Sequence, residues 1–146
     1  MSEYIHSLTV EAAKEVASNL RLEDRRELEE GYGVDPMDYL VFYASNADCV
    51  YFEVPNGKTA GMAGVDSPGA IWMLCTTAIE DYPLTFAREA KRYVERRQEP
   101  ILFNRVDERN IVHLKLLKFL GFKFFAKNLF GPNNLPFIEF AKWRSH

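Results

Sequence analysis

The sequence predicts an α+β domain: a mixed sheet with helices on both faces and one pair of adjacent parallel strands at its centre. Three observations predict it. Three short apolar runs, 49–54, 59–65 and 70–77, follow one another with only turn signals between them, as in an antiparallel meander. The third run leads through a helical stretch from Pro83 to a further apolar run at 101–105, a β-α-β unit whose crossover is right-handed and which makes those two strands parallel. After one more short helix, two strand-like runs flank Gly131-Pro-Asn-Asn134 and close the chain. A meander followed by β-α-β-α-β is a layered α+β arrangement.

Taken in order, residues 3–8 read as a short first strand. Val10, Ala13, Ala17 and Leu20 recur at helical spacing, with Thr9 in the capping position before them. Residues 22–30 are dense in Glu, Asp and Arg and read as a solvated helix, ended by Gly31 and Gly33. Pro36 opens a helix over 36–45 with Tyr39, Leu40 and Tyr43 on one face. The run from Cys49 to Val54 is β-branched and aromatic, Pro55-Asn-Gly-Lys58 turns it, and Asp66-Ser-Pro-Gly69 turns the next strand. The run 70–77 is nearly all apolar, which suits a central strand, and Trp72 within it reads as core. The helix 83–97 buries Phe86, Ala90, Tyr93 and Val94 and keeps its charges opposite. Strand 101–105, helix 110–120, strand 122–128 and strand 136–143 follow. Leu114, Leu117 and Leu120 with Phe122, Phe124 and Phe137 are expected to pack the last helix on the closing hairpin.

Composition bounds the function. A single domain over 1–146, with 47% hydrophobic and 14% aromatic residues, packs a substantial core. A net charge of −3 gives no basic surface for nucleic acid. No apolar run is long enough to span a membrane, and the N-terminus has no secretory pattern. Cys49 and Cys75 lie inside strand-like runs and read as buried free thiols in a reducing compartment. His6, His113 and His146 are too scattered for a metal site, so no metal is expected.

The stretch Asn110-Ile-Val-His-Leu-Lys-Leu-Leu-Lys-Phe-Leu-Gly121-Phe122, with Ile101-Leu-Phe103 and Asn104 before it, resembles the last block of the GNAT family of acyl-CoA-dependent N-acyltransferases. The family pattern is an Asn, a small residue three later, a Tyr seven later, and Gly-Phe at eleven and twelve. Asn110, Gly121 and Phe122 keep it; His113 stands at the small position and Leu117 at the tyrosine position.

The resemblance implies a fold in which the strands 70–77 and 101–105 splay apart at their C-terminal ends. It implies acetyl-CoA in that cleft, with its pyrophosphate on a glycine-rich turn at the next helix N-terminus, where backbone amides face the anion. Here the segment Thr76–Thr85 has no glycine and carries Glu80, Asp81 and Pro83. The positions that the resemblance sets against the donor are Leu74, Cys75, Thr76, Thr77, Thr85, Arg88, Asn104, Asn110 and Leu117. Arg92 is placed to assist Arg88. Asn110 also reads as the cap of the last helix. Leu117 cannot donate the proton that the family's tyrosine gives the leaving thiolate. His113 is the candidate catalytic residue, a general acid or base. The alternative reading makes it a half-buried histidine held by a neighbouring backbone group.

The glycine-free turn, the Asn-x-x-His-x-x-x-Leu-Lys-x-x-Gly helix and the tryptophan of the central strand together resemble a narrower group: the small GNAT-like internal virion or assembly proteins of short-tailed bacteriophages. That resemblance implies a protein partner, a phage structural or host protein. It implies action in virion assembly or against the host, in the host cytoplasm or in the virion, with a degenerate acyl-CoA site. The alternative is an active acetyl-CoA-dependent N-acetyltransferase that modifies an amine on a protein or small molecule.

Overall fold

The computed structural model describes residues 3–45 and 48–144. The elements run β1 (Ile5–Ser7), α1 (Val10–Ser18), α2 (Leu22–Arg26), a π turn (Glu27–Tyr32), α3 (Pro36–Tyr43), β2 (Val50–Glu53), β3 (Thr59–Asp66), β4 (Ala70–Cys75), a 3-10 turn (Thr77–Glu80), α4 (Pro83–Arg96), β5 (Ile101–Asp107), α5 (Ile111–Phe119), β6 (Lys123–Phe130) and β7 (Leu135–Trp143). The strands form one sheet in the order β1-β2-β3-β4-β5-β7-β6. Every neighbouring pair is antiparallel except β4 and β5.

Local chemistry sets the element ends. The Thr9 side chain accepts the Ala12 amide at 3.1 Å and starts α1. Asp35 does the same for Asp38 at 3.0 Å, with Pro36 in the first helical position. Asn110 caps α5 through the His113 amide. Gly33 ends the π turn at φ +70, a left-handed conformation that costs glycine nothing.

The sheet separates two cores. On one face Phe86, Ala90, Tyr93 and Val94 of α4, with Leu117 of α5 and Leu120 just beyond it, meet Phe52, Ile71, Met73, Cys75, Leu102 and Phe140. The two helices touch where Lys91 lies 5.5 Å from the centre of the Phe119 ring. On the other face Ala13, Val16, Ala17 and Leu20 meet Leu28, Leu40, Met62 and Leu74. Both cysteines are buried free thiols.

Four expectations about packing are corrected. Val10 is exposed, and the buried stripe of α1 runs instead through Ala12, Ala13, Val16 and Ala17. Phe124 is 38% exposed, because it sits on the edge strand beside a bulge between Phe124 and Ala126. Phe137 is buried, but strand alternation turns it to the face opposite α5, against Tyr32 and Phe130. The charged stretch 22–30 is not a solvated helix: Asp24 and Leu28 are buried, as is Arg21 before them.

Candidate functional site

Strands β4 and β5 pair only at their start. Ala70 opposes Phe103, and the Phe103 amide donates to the Gly69 carbonyl at 3.0 Å. One residue further the side chain of Asn104 takes over, donating from Nδ2 to the Ile71 carbonyl at 2.8 Å. Beyond that point the strands part, which is the C-terminal splay expected of them. The register of β3 on β4 bonds the alternate residues Leu74 and Trp72 to β3 and turns the backbone of Ile71, Met73 and Cys75 toward β5.

Each level of that open edge has a different fate. Ile71 is served by Asn104. Met73 lines a cavity of about 200 Å³ that fills the gap. Cys75 is closed off by the connection between α1 and α2. Its amide donates to Asp24 Oδ2 at 3.0 Å, and its carbonyl accepts the Arg21 amide at 3.0 Å. Leu20 forms a single antiparallel bridge with Thr76 beside it.

Asp24 is the centre of this closure. It is 1% exposed. Its Oδ1 accepts Asn110 Nδ2 at 2.7 Å, and its Oδ2 accepts Arg21 Nη1 at 3.3 Å. Arg21 Nη1 also donates to Asn110 Oδ1 at 3.3 Å, and its Nη2 to Glu23 at 2.9 Å. A buried charge pair survives only when its remaining polar atoms are matched, and here they are matched by Asn110 and the Cys75 amide.

The cavity lies beside this network. Leu74, Asn104, His113 and Leu117 line it. The other expected donor positions do not. Cys75 and Thr76 are buried in the main-chain pairing; Thr76 Oγ1 donates to the Thr59 carbonyl at 2.7 Å and accepts the Ala78 amide at 3.1 Å. Thr77 opens the 3-10 turn and is exposed, Thr85 is half-buried in the first turn of α4, and Arg88 is exposed on that helix. Arg92 points to Glu89, with 3.7 Å between Nε and Oε2. Asn110 is fully buried as helix cap and Asp24 partner. Trp72 packs against the second core but is only half-buried, with part of the indole in the cavity wall.

Electrostatics distinguish two groups in the wall. Glu27, in the π turn, is half-buried and accepts the Asp107 amide at 3.0 Å. Burial pushes its carboxyl up to about 8; the Asp107 amide opposes this, and the nearby Asp24 and Asp107 charges add to it. His113 is 8% exposed, and burial holds its imidazole below the usual histidine range, against the pull of the Asp24 carboxylate. It is therefore neutral at neutral pH. His6 is far away in chain and sheet, on the edge strand β1, and His146 lies outside the described residues. Among the described residues no group of His, Cys, Asp or Glu is arranged to hold a metal, and no helix is long and apolar enough to cross a membrane.

Glu27, Arg21 and Asp24 are the residues that sequence reasoning missed. A signal was present: Arg21, Asp24 and Glu27 recur every third residue, on the side of the helix that also carries Leu28.

No family model and no curated protein matches the chain by sequence. Solved structures match it over nearly its whole length. A GNAT-family acetyltransferase from Bacillus anthracis has a TM-score of 0.72 at 10% identity, covering 98% of this chain and 96% of its own. A ribosomal-protein-alanine N-acetyltransferase from Brucella melitensis has a TM-score of 0.66 at 14% identity, covering 96% and 99%. The aminoglycoside acetyltransferase AAC(6')-Ib, solved in complex with coenzyme A, has a TM-score of 0.63 at 15% identity, covering 97% and 94%. With its parallel β4–β5 pair at the centre of a seven-stranded mixed sheet, this chain has the fold of the GNAT acetyltransferases.

Proposed function

We propose that the protein is an acyl-CoA-dependent N-acyltransferase, acetyl-CoA being the donor, which modifies an amine on a protein or small molecule with Glu27 as general base. One observation carries the reading: the gap between β4 and β5 opens into a cavity whose wall holds Glu27, a carboxyl group that burial pushes up to about 8. A base of that strength is matched to an ammonium acceptor at physiological pH. The acceptor amine gives a proton to the Glu27 carboxylate, and its lone pair attacks the thioester carbon. The C–S bond then breaks, the thiolate leaves with the electron pair, and the second N–H proton of the attacking amine passes through solvent to the departing sulfur. Leu117, 4% exposed, supplies no proton to it, and neutral His113 serves to shape the wall. The Met73 level of β4 has room for the acyl end of the donor, whereas passage at Cys75 requires Asp24 and Arg21 to release that residue.

That closure favours a second reading: a non-catalytic GNAT-fold protein that acts through a protein partner, in virion assembly or against a host, in the host cytoplasm or the virion. The acidic, glycine-free turn before α4 and the exposed rings of Phe125 and Trp143, 6.1 Å apart, support it. Thermal shift with acetyl-CoA separates the two. At a hundredfold excess over its Kd the donor stabilises by about 2.7 kcal/mol. Such a shift, with CoA thiol released on adding amine, supports the transferase; no shift at millimolar acetyl-CoA supports the partner-binding reading.

A further inference from the structure

Where β5 has parted from it, the end of β4 is bonded to the chain's own α1–α2 connection. Residues 19–21 lie antiparallel to residues 75–77 like a short strand. Leu20 opposes Thr76, the Arg21 amide donates to the Cys75 carbonyl at 3.0 Å, and the Thr77 amide donates to the Asn19 carbonyl at 3.1 Å. The stub stops there because α2 begins: the Arg21 carbonyl accepts the Arg25 amide at 3.0 Å instead of an amide of β4. The Cys75 amide, which a longer strand would have matched, donates to Asp24 Oδ2 at 3.0 Å. This segment has little apolar anchorage. From residue 19 to residue 26 Leu20 is the one buried apolar side chain, Leu22 is exposed, and α2 buries only Asp24. Its ion pair is internal. Arg21 Nη1 lies 3.3 Å from Asp24 Oδ2, and Arg21 Nη2 donates to Glu23. Release from β4 therefore carries the charges away as a matched set and does not separate them. Asn110, which the segment leaves behind, is a neutral amide that keeps its capping bond to the His113 amide. A segment held by polar bonds with few buried apolar contacts opens at low local cost.

We propose that residues 19–24 are an autoinhibitory plug: they stand in for an extended, amide-bearing ligand chain on β4 and swing off as one unit to admit it. The inference rests on the transferase reading in one respect: the chain admitted is the pantetheine arm of acetyl-CoA, whose amide groups then take the Cys75 N–H and C=O. The competition is for shared atoms. The Cys75 amide hydrogen given to Asp24 is not available to a ligand carbonyl, and the Cys75 carbonyl is taken by Arg21. β4 is the fixed partner, since its other edge is paired with β3 from Ala70 to Cys75. The plug is bounded by Asn19, where α1 has already ended, and by the π turn, which Leu28 holds in the second core. Donor affinity is then reduced by the fraction of molecules that are closed.

Two measurements on the full chain test it. The first is amide hydrogen exchange of the parent, read by NMR. Along the end of β4 the Cys75 amide faces the plug, whereas those of Leu74 and Thr76 face β3, and all three residues are buried. The strand thus supplies its own control. Cys75 is expected to be less protected than Leu74 and Thr76 by about tenfold or more. Equal protection means that the plug opens only when the sheet does, and it overturns the proposal. The second measurement uses Asn19→Cys with Thr77→Cys. Both positions are exposed and face each other in the stub, where paired Cα atoms lie about 5.5 Å apart, within reach of a disulfide. The chain's own cysteines are buried, so oxidation acts on the new pair. Acetyl-CoA is expected to raise the melting temperature of the reduced form and to bind the oxidised form about tenfold more weakly or not at all. Equal binding to the two forms overturns the plug and leaves the transferase reading standing. A poorly protected Cys75 with no acetyl-CoA shift in either form removes the transferase reading alone.

Discussion

The Asp24 carboxylate accepts the main-chain amide of Cys75 at 3.0 Å, so a side chain from the second helix does for the central strand what a neighbouring strand does elsewhere in the sheet. The splay of β4 and β5 leaves that amide without a strand partner, and a buried amide left unmatched costs about 1–3 kcal/mol. Asp24 removes this cost and also neutralises Arg21 and anchors Asn110. One residue thus ties together α2, β4 and α5.

Replacement of Asp24 by Ala is therefore expected to destabilise the protein severely. It leaves the buried Arg21 guanidinium unpaired and the Cys75 amide unmatched, for a loss on the order of 3–5 kcal/mol in chemical denaturation. Asp24→Asn keeps an acceptor for Cys75 and should cost less. If Asp24→Ala stays within about 0.5 kcal/mol of the parent, the network is an exposed feature and not the bracing of the cleft.

Leu117 stands where the resemblance expects a tyrosine, yet it is 4% exposed and joins Leu120, Phe122 and Phe140 in the core, besides lining the cavity. Leu117→Ala is expected to cost about 2–5 kcal/mol, toward the lower end because one side of the site already borders empty space. Leu117→Tyr tests the other role. If it folds and raises the rate of thiol release, the site lacks only its acid. A folded Leu117→Tyr with no change in rate places the limitation elsewhere.

The meander, the parallel central pair and the closing hairpin were legible because apolar runs, turn signals and a β-α-β crossover constrain topology strongly, and the splay of the pair was implied by the family resemblance. Asn110 was legible as a cap because N-capping is local chemistry. The cavity wall was much less so. Glu27 and Asp24 look like solvated charge because composition says nothing about which side of a helix meets a splayed strand. Trp72 reads as core because an apolar run hides the fact that its neighbour across the strand, Gly64, makes space for it. Phe137 was expected against the last helix but lies on the opposite face of the sheet, because along β7 it alternates with the residues that face α5. Thr85 and Arg88 follow the helix α4, whose start is held by its own turn and not drawn into the cavity.

The closing hairpin is locked to the π turn by backbone contact. Gly131 has φ +80, and a Cβ on it would fall 1.9 Å from the Gly31 carbonyl oxygen. Gly57 has φ +82 and open space around the same position. Gly57→Ala therefore measures left-handed strain alone, about 1 kcal/mol. Gly131→Ala adds a clash with main chain that no rotamer can relieve, and it should be clearly the more destabilising of the two in urea denaturation. Equal losses would show that the hairpin gives way freely and does not fix the position of Tyr32 beside Glu27.

Glu27 gives the sharpest pH signature. Its folded-state value, near 8, lies above the ordinary carboxyl value of 4.5, because burial disfavours the anion. The folded state therefore holds the proton more tightly than the unfolded chain. The associated stability is fully present below pH 4.5 and is lost progressively as pH rises through 8. His113 acts in a different window: its value is lowered, so the unfolded chain binds the extra proton, and its contribution is lost as pH falls below 6.5. Replacing Glu27 by Gln keeps an oxygen for the Asp107 amide but removes the charge. The variant should lose the decline in stability on the alkaline side and become more stable than the parent at pH 9, while keeping the decline at acid pH that belongs to His113. Acyl transfer by the parent should rise with pH about a midpoint near 8, as the base ionises. In Glu27→Gln it should fall by about 10²–10⁴-fold and lose that midpoint. A flat pH profile in the parent, or a Gln variant that keeps the parent's rate, would transfer the base role from Glu27 to another group or to bulk water.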